Sequence, residues 1–372
     1  MTKIALYLAG GGARGSYQAG TLKAIQEILN IKKIPFDTLS GVSVGSVNAA
    51  VLAQYADDFL AGVTKLEQLW ADIHCEKIFS SSNYELSKSV LRNLSNTVIK
   101  QRQSGYLLST DPLRQFINDN INFDVIHAQI AAGHLKTLEV ITHCYETQQT
   151  ISFYQHYQET FEDWYYARHI SQRATLQMEH ILASSALPLF FPTVKIDGLH
   201  FGDGSMGLVF PLRGAIRYQV EKILILGTRQ EFLAEDPEKL RSGDIGFAHI
   251  LGSMLNGLFL DNLDRDISTI NRMNEIAKMV SLWNKRYSPW RPIETLHLRP
   301  SINIGFLAQE QYDTMPALLR FLLNILGAKS HSGDLLSFLL FEQEFTSLLF
   351  QLGYEDTLRH ETSIKAFFET KP

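Results

Sequence analysis

Hydrophobic and polar positions near the start of the chain follow two different periods. Residues 3–8 form a continuous apolar run, which is typical of a strand that is buried on both faces. Residues 16–29 have their apolar side chains at helical spacing, and a second helix is predicted over residues 46–55. A second short strand is predicted over residues 34–39. This strand–helix–strand–helix order predicts a parallel sheet that is covered by helices.

The middle of the chain adds further strands and helices. Residues 135–145 and 150–154 are predicted to form a β-hairpin, and residues 173–186 are predicted to form a helix. The dipeptide Asp197-Gly198 is typical of a turn between two short strands, because both residue types are favoured in turns. Residues 221–226 form another apolar run, which indicates a further buried strand.

The character of the sequence changes after Gly227. Helices are predicted over residues 250–279, 313–327 and 334–352, with one short strand over residues 295–298. The change predicts a boundary near residue 230, between an α/β part of residues 1–230 and a mostly helical region of residues 231–372. We expect the helical region to pack on the same core. The predicted fold class is therefore α/β with a helical C-terminal region.

Composition and charge narrow the classes of protein that this chain can be. Of its 372 residues, 45% are apolar and 20% are charged, which is enough apolar material for a sizeable core. The formal net charge of −5 argues against general nucleic-acid binding, which needs a basic face. Because Cys75 and Cys144 are the only cysteines, no disulfide framework is expected and a reducing compartment is compatible.

The apolar runs are too short for targeting or membrane-spanning segments. Residues 4–9 do not reach the length of a signal-peptide core, and no run elsewhere approaches the length that spans a bilayer. We therefore expect a cytoplasmic protein, unless it is exported by a route that uses no cleaved signal.

A Gly-x-Ser-x-Gly motif lies between the second predicted strand and the second predicted helix. It consists of Gly41, Ser43 and Gly45, with valines between them. A serine on so sharp a turn exposes its hydroxyl, while the glycines relieve crowding of the backbone. The start of the helix adds free N–H groups and the positive end of its dipole, which favour a developing oxyanion. Such a motif also occurs by chance, but its position between a strand and a helix predicts Ser43 as a nucleophile.

A glycine-rich loop, Gly10–Gly15, follows the first predicted strand and has three interpretations. Its first, third and sixth residues fit the pattern of dinucleotide-binding loops, but the candidate ribose ligand Asp37 falls inside the second strand instead of at its end. A P-loop is excluded because no lysine follows Gly15. The third interpretation is an oxyanion hole, since consecutive glycines let backbone N–H groups approach a reacting carbonyl. Arg14 suits either a cation that stabilises the loop or one that helps to hold a phosphate.

A third segment supplies a carboxylate. Asp203 stands between Gly202 and Gly204 in a predicted turn, downstream of the largely apolar segment 183–192. By itself an Asp-Gly pair is usually no more than a turn, because both residues are favoured there. Together with the other two motifs, it predicts a base that accepts the proton of the Ser43 hydroxyl.

The three motifs together resemble the patatin-like phospholipases, a family related to plant patatins and to the catalytic domain of cytosolic phospholipase A2. The matching segments, in agreeing order and spacing, are Gly10–Gly15, Gly41–Gly45, and Ala183–Pro188 leading to Asp203-Gly204. The similarity covers about residues 3–228. The sequence departs from the family at Ser205, where glycine or alanine is usual, and at Ala9, where many members have aspartate or another residue.

The resemblance implies a three-layer α/β/α fold around a mainly parallel sheet, with residues 1–230 as the catalytic domain. It implies a Ser43–Asp203 dyad without histidine that hydrolyses acyl esters of glycerolipids, with no metal and no cofactor. Phospholipids or lysophospholipids are the implied substrates, with peripheral membrane contact and no nucleic-acid partner. The implied site has an oxyanion hole from the loop of Gly10, Gly11, Gly12, Arg14 and Gly15, a nucleophile elbow with Gly41 and Gly45, and a turn at Gly204.

The same residues are compatible with further mechanisms and functions. A Ser-His-Asp triad would take its histidine from His200, His249, His297, His331 or His360. An acyltransferase would use the same acyl-enzyme with another acceptor, and a catalytically inactive lipid-binding protein would keep only the fold. The apolar residues around Phe190 are the predicted acyl-chain channel. Residues 335–341 are predicted to pack in the core, because the acidic residues after them fit poorly with anionic lipid.

Overall fold

The strands of the protein form one mixed sheet in the computed structural model. The structure describes residues 2–79, 106, 108–231, 247–259, 261–279, 291–312, 315, 316, 320 and 333–369. The strands within these ranges are β1 (Ile4–Leu8), β2 (Thr38–Val42), β3 (Thr137–Cys144), β4 (Gln149–His156), β5 (Tyr165–Tyr166), β6 (His169–Arg173), β7 (Val194–Ile196), β8 (Leu199–Asp203), β9 (Lys222–Leu226) and β10 (Glu294–Leu298).

Helices precede, separate and follow these strands. In chain order they are α1 (Gly15–Leu29), α2 (Val44–Gln54), α3 (Phe59–Ala71), α4 (Cys75–Ile78), α5 (Asp111–Asn120), α6 (Phe123–Ala131), α7 (Met178–Ser184), α8 (Arg213–Arg217), α9 (Phe247–Phe259), α10 (Asp261–Met279), α11 (Ile304–Glu310), α12 (Gly333–Leu339), α13 (Gln343–Leu358) and α14 (Glu361–Phe368). Short 3-10 turns cover Gly12–Arg14 and Gly204–Gly207. Among the helices that the structure describes, none is long and apolar enough to cross a membrane.

The order of the strands confirms the predicted, mainly parallel sheet. The order is β10-β9-β1-β2-β3-β4-β6-β5, and the strands from β10 to β3 are all parallel to their neighbours. The predicted hairpin is β3 and β4, and β8 runs antiparallel to the end of β3. Leu8 lies opposite Gly41, and Asp203 lies opposite Thr142. The ends of β1, β2 and β8 are therefore close together at one edge of the sheet.

Apolar side chains cover both faces of the sheet, as the continuous apolar strands predict. Leu6 and Leu224 belong to the core that the sheet shares with α1 and α2. Tyr7 and Ile225, which point to the opposite face, pack in a second core with Leu263 of α10. Each fully buried leucine contributes roughly 1.5–3 kcal/mol relative to an exposed one. The result is a three-layer α/β/α arrangement.

The C-terminal helices contact the first helix very closely. A Cβ atom on Gly20 would lie 1.9 Å from the carbonyl oxygen of Phe350, and one on Gly353 would lie 2.1 Å from that of Tyr17. Only glycine allows α1 and α13 to approach to this distance, because any side chain would meet backbone atoms. The last helices therefore complete the layer that α1 begins.

The second strand is displaced from its predicted position. β2 covers Thr38–Val42 instead of residues 34–39, because the parallel pairing of β2 with β1 begins only at Thr38. Asp37 stands just before β2, and its carboxylate accepts a hydrogen bond from the N–H of Ile4. The displacement extends the strand up to the residue before Ser43, so that no linker separates the strand from the serine.

Other predicted helices have different bounds in the structure. The helix predicted over residues 173–186 is reduced to α7, because Arg173 still pairs with β4 as the last residue of β6. The helix predicted over 250–279 corresponds to α9 and α10, with residue 260 outside the described residues, and the one over 334–352 is divided into α12 and α13. The helix predicted over 313–327 lies outside the described residues, apart from three positions. Helical periodicity continues across short breaks, so it does not locate helix ends.

Candidate active site

Ser43 occupies a strained turn between β2 and α2. Its backbone φ of 55° and ψ of −131° lie in a region that residues with a side chain rarely adopt. A Cβ on Gly41 would lie 2.4 Å from the oxygen of Gly45, and a Cβ on Gly45 would lie 2.1 Å from the oxygen of Leu8. Both glycines of the motif are therefore required by close backbone contacts. Strain of this kind is typical of catalytic turns.

Ser184 anchors this turn to the neighbouring strand. The N–H of Ser43 donates to Ser184 Oγ at 2.8 Å, and that hydroxyl donates to the carbonyl of Ile141 at 2.7 Å. The carbonyl of Ser43 accepts hydrogen bonds from the N–H and the hydroxyl of Ser46. The sequence includes Ser184 in a recognised motif but gives no signal for this bridging role, which depends on contact between three separate segments.

Asp203 is the last residue of β8 and is fully buried. Its Oδ1 accepts the N–H of Ser205 at 3.0 Å, while Oδ2 forms no hydrogen bond with any described residue. Burial raises the pKa of Asp203 to about 6, although the neighbouring Ser43 and Ser205 hydroxyls lower it. The Ser43 hydroxyl thus lies beside the carboxylate, without a hydrogen bond within 3.5 Å. One carboxylate oxygen of Asp203, Oδ2, is therefore left without a hydrogen bond in the neighbourhood of Ser43.

The turn after Asp203 is fitted to the end of β3. A Cβ on Gly204 would lie 2.2 Å from the carbonyl oxygen of Ile141, so a larger residue does not fit there. Ser205, the departure from the family pattern, is buried, and its hydroxyl forms no hydrogen bond within 3.5 Å although it lowers the pKa of the Asp203 carboxyl. The serine at this position is therefore accommodated beside the carboxylate.

The glycine loop after β1 turns back on itself. Gly11 and Gly12 have φ angles of 156° and 56°, in the region that favours glycine. The N–H of Arg14 donates to the carbonyl of Gly11, and the N–H of Gly15 donates to those of Gly12 and Ala13. Within the described ranges the N–H groups of Gly11 and Gly12 have no such partner. The N–H groups of Gly11 and Gly12 are therefore two donors of the loop that no hydrogen bond within the described ranges uses.

Arg14 is directed into the protein and not toward solvent. Its side chain is only 2% exposed, and its Nε donates to Ser337 Oγ at 2.9 Å. Its Nη2 pairs with Asp334 at 3.2 Å, and the guanidinium lies 4.3 Å from the centre of the Phe338 ring. Burial lowers the pKa of Arg14 to about 10, which still leaves it charged at neutral pH. Arg14 therefore connects the glycine loop to α12.

A narrow apolar cavity begins at Ser43. Its volume is about 50 Å³, and Gly12 and Ser43 form its polar end together with Ser185. Of the loop predicted to form an acyl-chain channel, Leu187 and Phe191 line this cavity, while Phe190 is buried elsewhere. The C-terminal residues Phe338, Leu339 and Phe341 line it as well. The prediction that residues 335–341 are buried is confirmed, with the addition that three of them face the cavity.

Two of the histidines that a Ser-His-Asp triad would need, His200 and His297, pair with other side chains. His200 pairs with Glu146 at 2.6 Å, at the exposed beginning of β8. His297 lies in β10 next to Asp264, and burial lowers its pKa to about 3. His360 precedes α14, while His331 and the side chain of His249 lie outside the described residues.

A dinucleotide-binding role for the glycine loop finds little support in the geometry. Asp37, the candidate ribose ligand, lies at the amino end of β2 and pairs with Lys136, whereas a dinucleotide binds at the carboxyl ends of strands. No cluster of metal-ligating side chains occurs within the part of the chain that the structure describes.

Comparisons with known proteins agree with the motifs. The sequence model of a family described as patatin-like phospholipase matches residues 6–216. Lysophospholipase NTE1 of Chaetomium globosum is 27% identical over 116 residues, which are 29% of this chain and 7% of that protein. Lysophospholipase nte1 of Aspergillus terreus is 44% identical over 54 residues, 14% of this chain and 3% of that protein. The chain thus spans less than a tenth of these relatives.

A solved structure gives a looser match. The crystal structure of VipD from Legionella pneumophila has a TM-score of 0.36 and 14% identity, covering 97% of this chain and 67% of that one. A superposition of this quality carries no argument about function.

Proposed function

Because the chain belongs to the patatin-like phospholipase family, we propose that it is a serine acyl hydrolase that cleaves acyl esters of glycerolipids. One observation carries the proposal: a buried carboxylate, Asp203, has a free acceptor oxygen beside a serine that is held on a strained turn. An unpaired buried carboxylate is costly in a folded protein, so a functional role explains why it is kept.

The proposed reaction begins at the ester carbonyl. Ser43 Oγ attacks the carbonyl carbon while Asp203 accepts the hydroxyl proton, and the tetrahedral intermediate expels the alcohol, which takes the proton from Asp203. Water then attacks the acyl-enzyme with Asp203 as base, and Ser43 is regenerated with release of the fatty acid. With a pKa of about 6, Asp203 is a stronger base than an ordinary carboxylate and is still ionised at neutral pH.

The N–H groups of Gly11 and Gly12 are the proposed oxyanion donors. Neither N–H group donates to another backbone group of the described residues, and Gly12 lines the same cavity as Ser43. Preorganised backbone donors stabilise the developing negative charge without reorganisation during the reaction. Arg14 would act indirectly, because its contacts with α12 hold the loop in place.

The apolar cavity is the proposed site of the acyl chain. Its lining is almost entirely hydrocarbon beyond the serines, which suits a fatty-acyl chain and not a polar substrate. The names of the matched relatives favour lysophospholipids as the first substrates to test. Leu189, in the loop around Phe190, is 55% exposed and is a candidate for peripheral membrane contact.

The test is hydrolysis of a panel of lysophospholipids, phospholipids and monoacylglycerols by the wild type and Ser43→Ala. We expect fatty-acid release by the wild type, a loss of about 10³-fold or more in the variant, and covalent labelling of Ser43 by a fluorophosphonate. Folded wild type that neither labels nor hydrolyses any ester would contradict the proposal. Faster acyl transfer to an added lysolipid than to water would instead support an acyltransferase.

A further inference from the structure

A second cavity adjoins the apolar cavity. This polar groove has a volume of about 390 Å³ and runs between α3, α4 and α5, where it is lined by charged and amide side chains such as Lys65, Asp72, Lys77 and Asp119. Two residues, Leu69 of α3 and Phe116 of α5, line both the apolar cavity and the polar groove. Their side chains therefore form the partition between the two spaces.

The partition is built from rigid elements. Leu69 and Phe116 are 4% and 9% exposed, and both belong to the main hydrophobic core. Next to Leu69, the Trp70 Nε1–H donates to Asn48 Oδ1 at 3.0 Å, which ties α3 to the helix that begins just after Ser43. Close packing on both helices prevents the two side chains from simply moving aside.

The dimensions of the apolar cavity make this partition significant. A single water molecule needs about 10–15 Å³ of cavity volume. A cavity of about 50 Å³ therefore holds only a few methylene groups. An acyl chain whose ester carbonyl lies at Ser43 would therefore fill this cavity after a few methylene groups. Beyond it, the groove is more polar than the apolar cavity, and it offers open space.

We propose that Leu69 and Phe116 set the length of the acyl chain that the enzyme accepts, because they close the apolar cavity against the polar groove. The proposal rests on the proposed hydrolysis at Ser43. Truncating either side chain would open the cavity into the groove, so that the end of a longer chain could pass into solvent. A pocket that excludes one methylene group commonly discriminates by about 10-fold or more.

The experiment measures kcat/KM for p-nitrophenyl esters from butyrate to palmitate. For Leu69→Ala and Phe116→Ala we expect the ratio of palmitate to butyrate to rise by about 10-fold or more. Leu113→Ala is the matched control, because Leu113 lies on the same helix as Phe116 and lines the apolar cavity but not the groove. We expect this control to change the ratio much less. Leu69→Phe should lower the ratio instead.

The outcomes separate this inference from the proposed function. Variants that hydrolyse butyrate and unfold cooperatively, yet keep the wild-type ratio, would overturn the role of the partition while leaving Ser43 as nucleophile. An equal rise in Leu113→Ala would also overturn it, since cavity volume alone would then decide. Absence of hydrolysis and of Ser43 labelling in folded wild type would overturn both. Should Phe116→Ala fail to fold, Leu69→Ala and Leu69→Phe decide the matter.

Discussion

Two buried charged side chains belong to the motifs of the candidate site, Arg14 of the glycine loop and Asp203 at the end of β8, and their surroundings differ. Arg14, at 2% exposure, donates to Ser337 and Asp334 and stacks on Phe338. Asp203, at 0% exposure, has one backbone donor and one oxygen without a hydrogen bond. The first charge is fully compensated, whereas the second is not.

This difference separates a structural charge from one that is available for chemistry. Removing one partner of a buried ion pair is strongly destabilising, because the charge that remains is left uncompensated. A buried charge with a free oxygen has a shifted proton affinity, which is the property that a general base needs. The glycine loop is therefore held by Arg14, while Asp203 is left free to accept a proton.

The largest expected effect comes from Asp203→Asn. The amide cannot accept the hydroxyl proton, so we expect hydrolysis to fall by about 10³-fold or more. Folding should not suffer, because the variant removes a buried charge that lacks a partner. Asp197→Asn, at the tip of the β7–β8 turn, is the control and should leave both properties unchanged. Hydrolysis by Asp203→Asn at the wild-type rate would show that Asp203 is not the base, and that the two buried charges do not differ in function.

Arg14→Ala is expected to act mainly on stability. Loss of the guanidinium leaves Ser337 and the carbonyl of Thr228 without their donors, and we expect a destabilisation of about 3 kcal/mol. Lys365→Ala removes an exposed ion pair with Glu361 and should cost only about 0.3 kcal/mol. Urea unfolding of both variants measures the difference. An Arg14→Ala protein as stable as the wild type would show that the contact with α12 is not structural.

Gly12→Ala tests how closely the glycine loop fits α12. The φ of 56° disfavours alanine, and its Cβ would lie 2.1 Å from the carbonyl oxygen of Phe338. Gly198→Ala is a matched control, since its φ is 87° but nothing lies within 4 Å of its Cβ. We expect a loss of about 1 kcal/mol for the control and about 2–3 kcal/mol for Gly12→Ala, with reduced hydrolysis only in the latter. If thermal unfolding shows an equal loss of stability in Gly12→Ala and Gly198→Ala, α12 can move away from the added Cβ atom.

The smallest expected effect is the pH dependence that Asp203 confers. Only the ionised carboxylate accepts a proton, so kcat/KM should fall about 10-fold per pH unit below pH 6. Because burial raises the folded pKa of Asp203 above its ordinary value of 3.8, its contribution to stability is complete below that value and is lost as the pH rises through about 6. Asp203→Asn should abolish this loss. A rate that stays constant down to pH 5 would contradict the assignment.

Local sequence patterns were sufficient for the elements nearest the candidate site. The apolar run of β1, the helix α1 and the β3–β4 hairpin follow from short-range periodicity, and the family follows from three motifs. Gly41 and Gly45 are signalled by the Gly-x-Ser-x-Gly motif, although the backbone that Gly45 approaches is that of Leu8 in β1. The position of β2 was wrong by several residues, since a parallel strand takes its bounds from its neighbours and not from its own residues.

The sequence by itself determined which side chains carry the candidate chemistry and that the strands lie buried in a parallel sheet. Only the tertiary structure decided that Arg14 is covered by α12, more than 300 residues away, and that Leu69 and Phe116 divide two cavities. The physical reason is that periodicity records whether a side chain is buried but not what it is buried against. Partners and cavity walls arise from distant segments that fill the same space, and no local pattern records them.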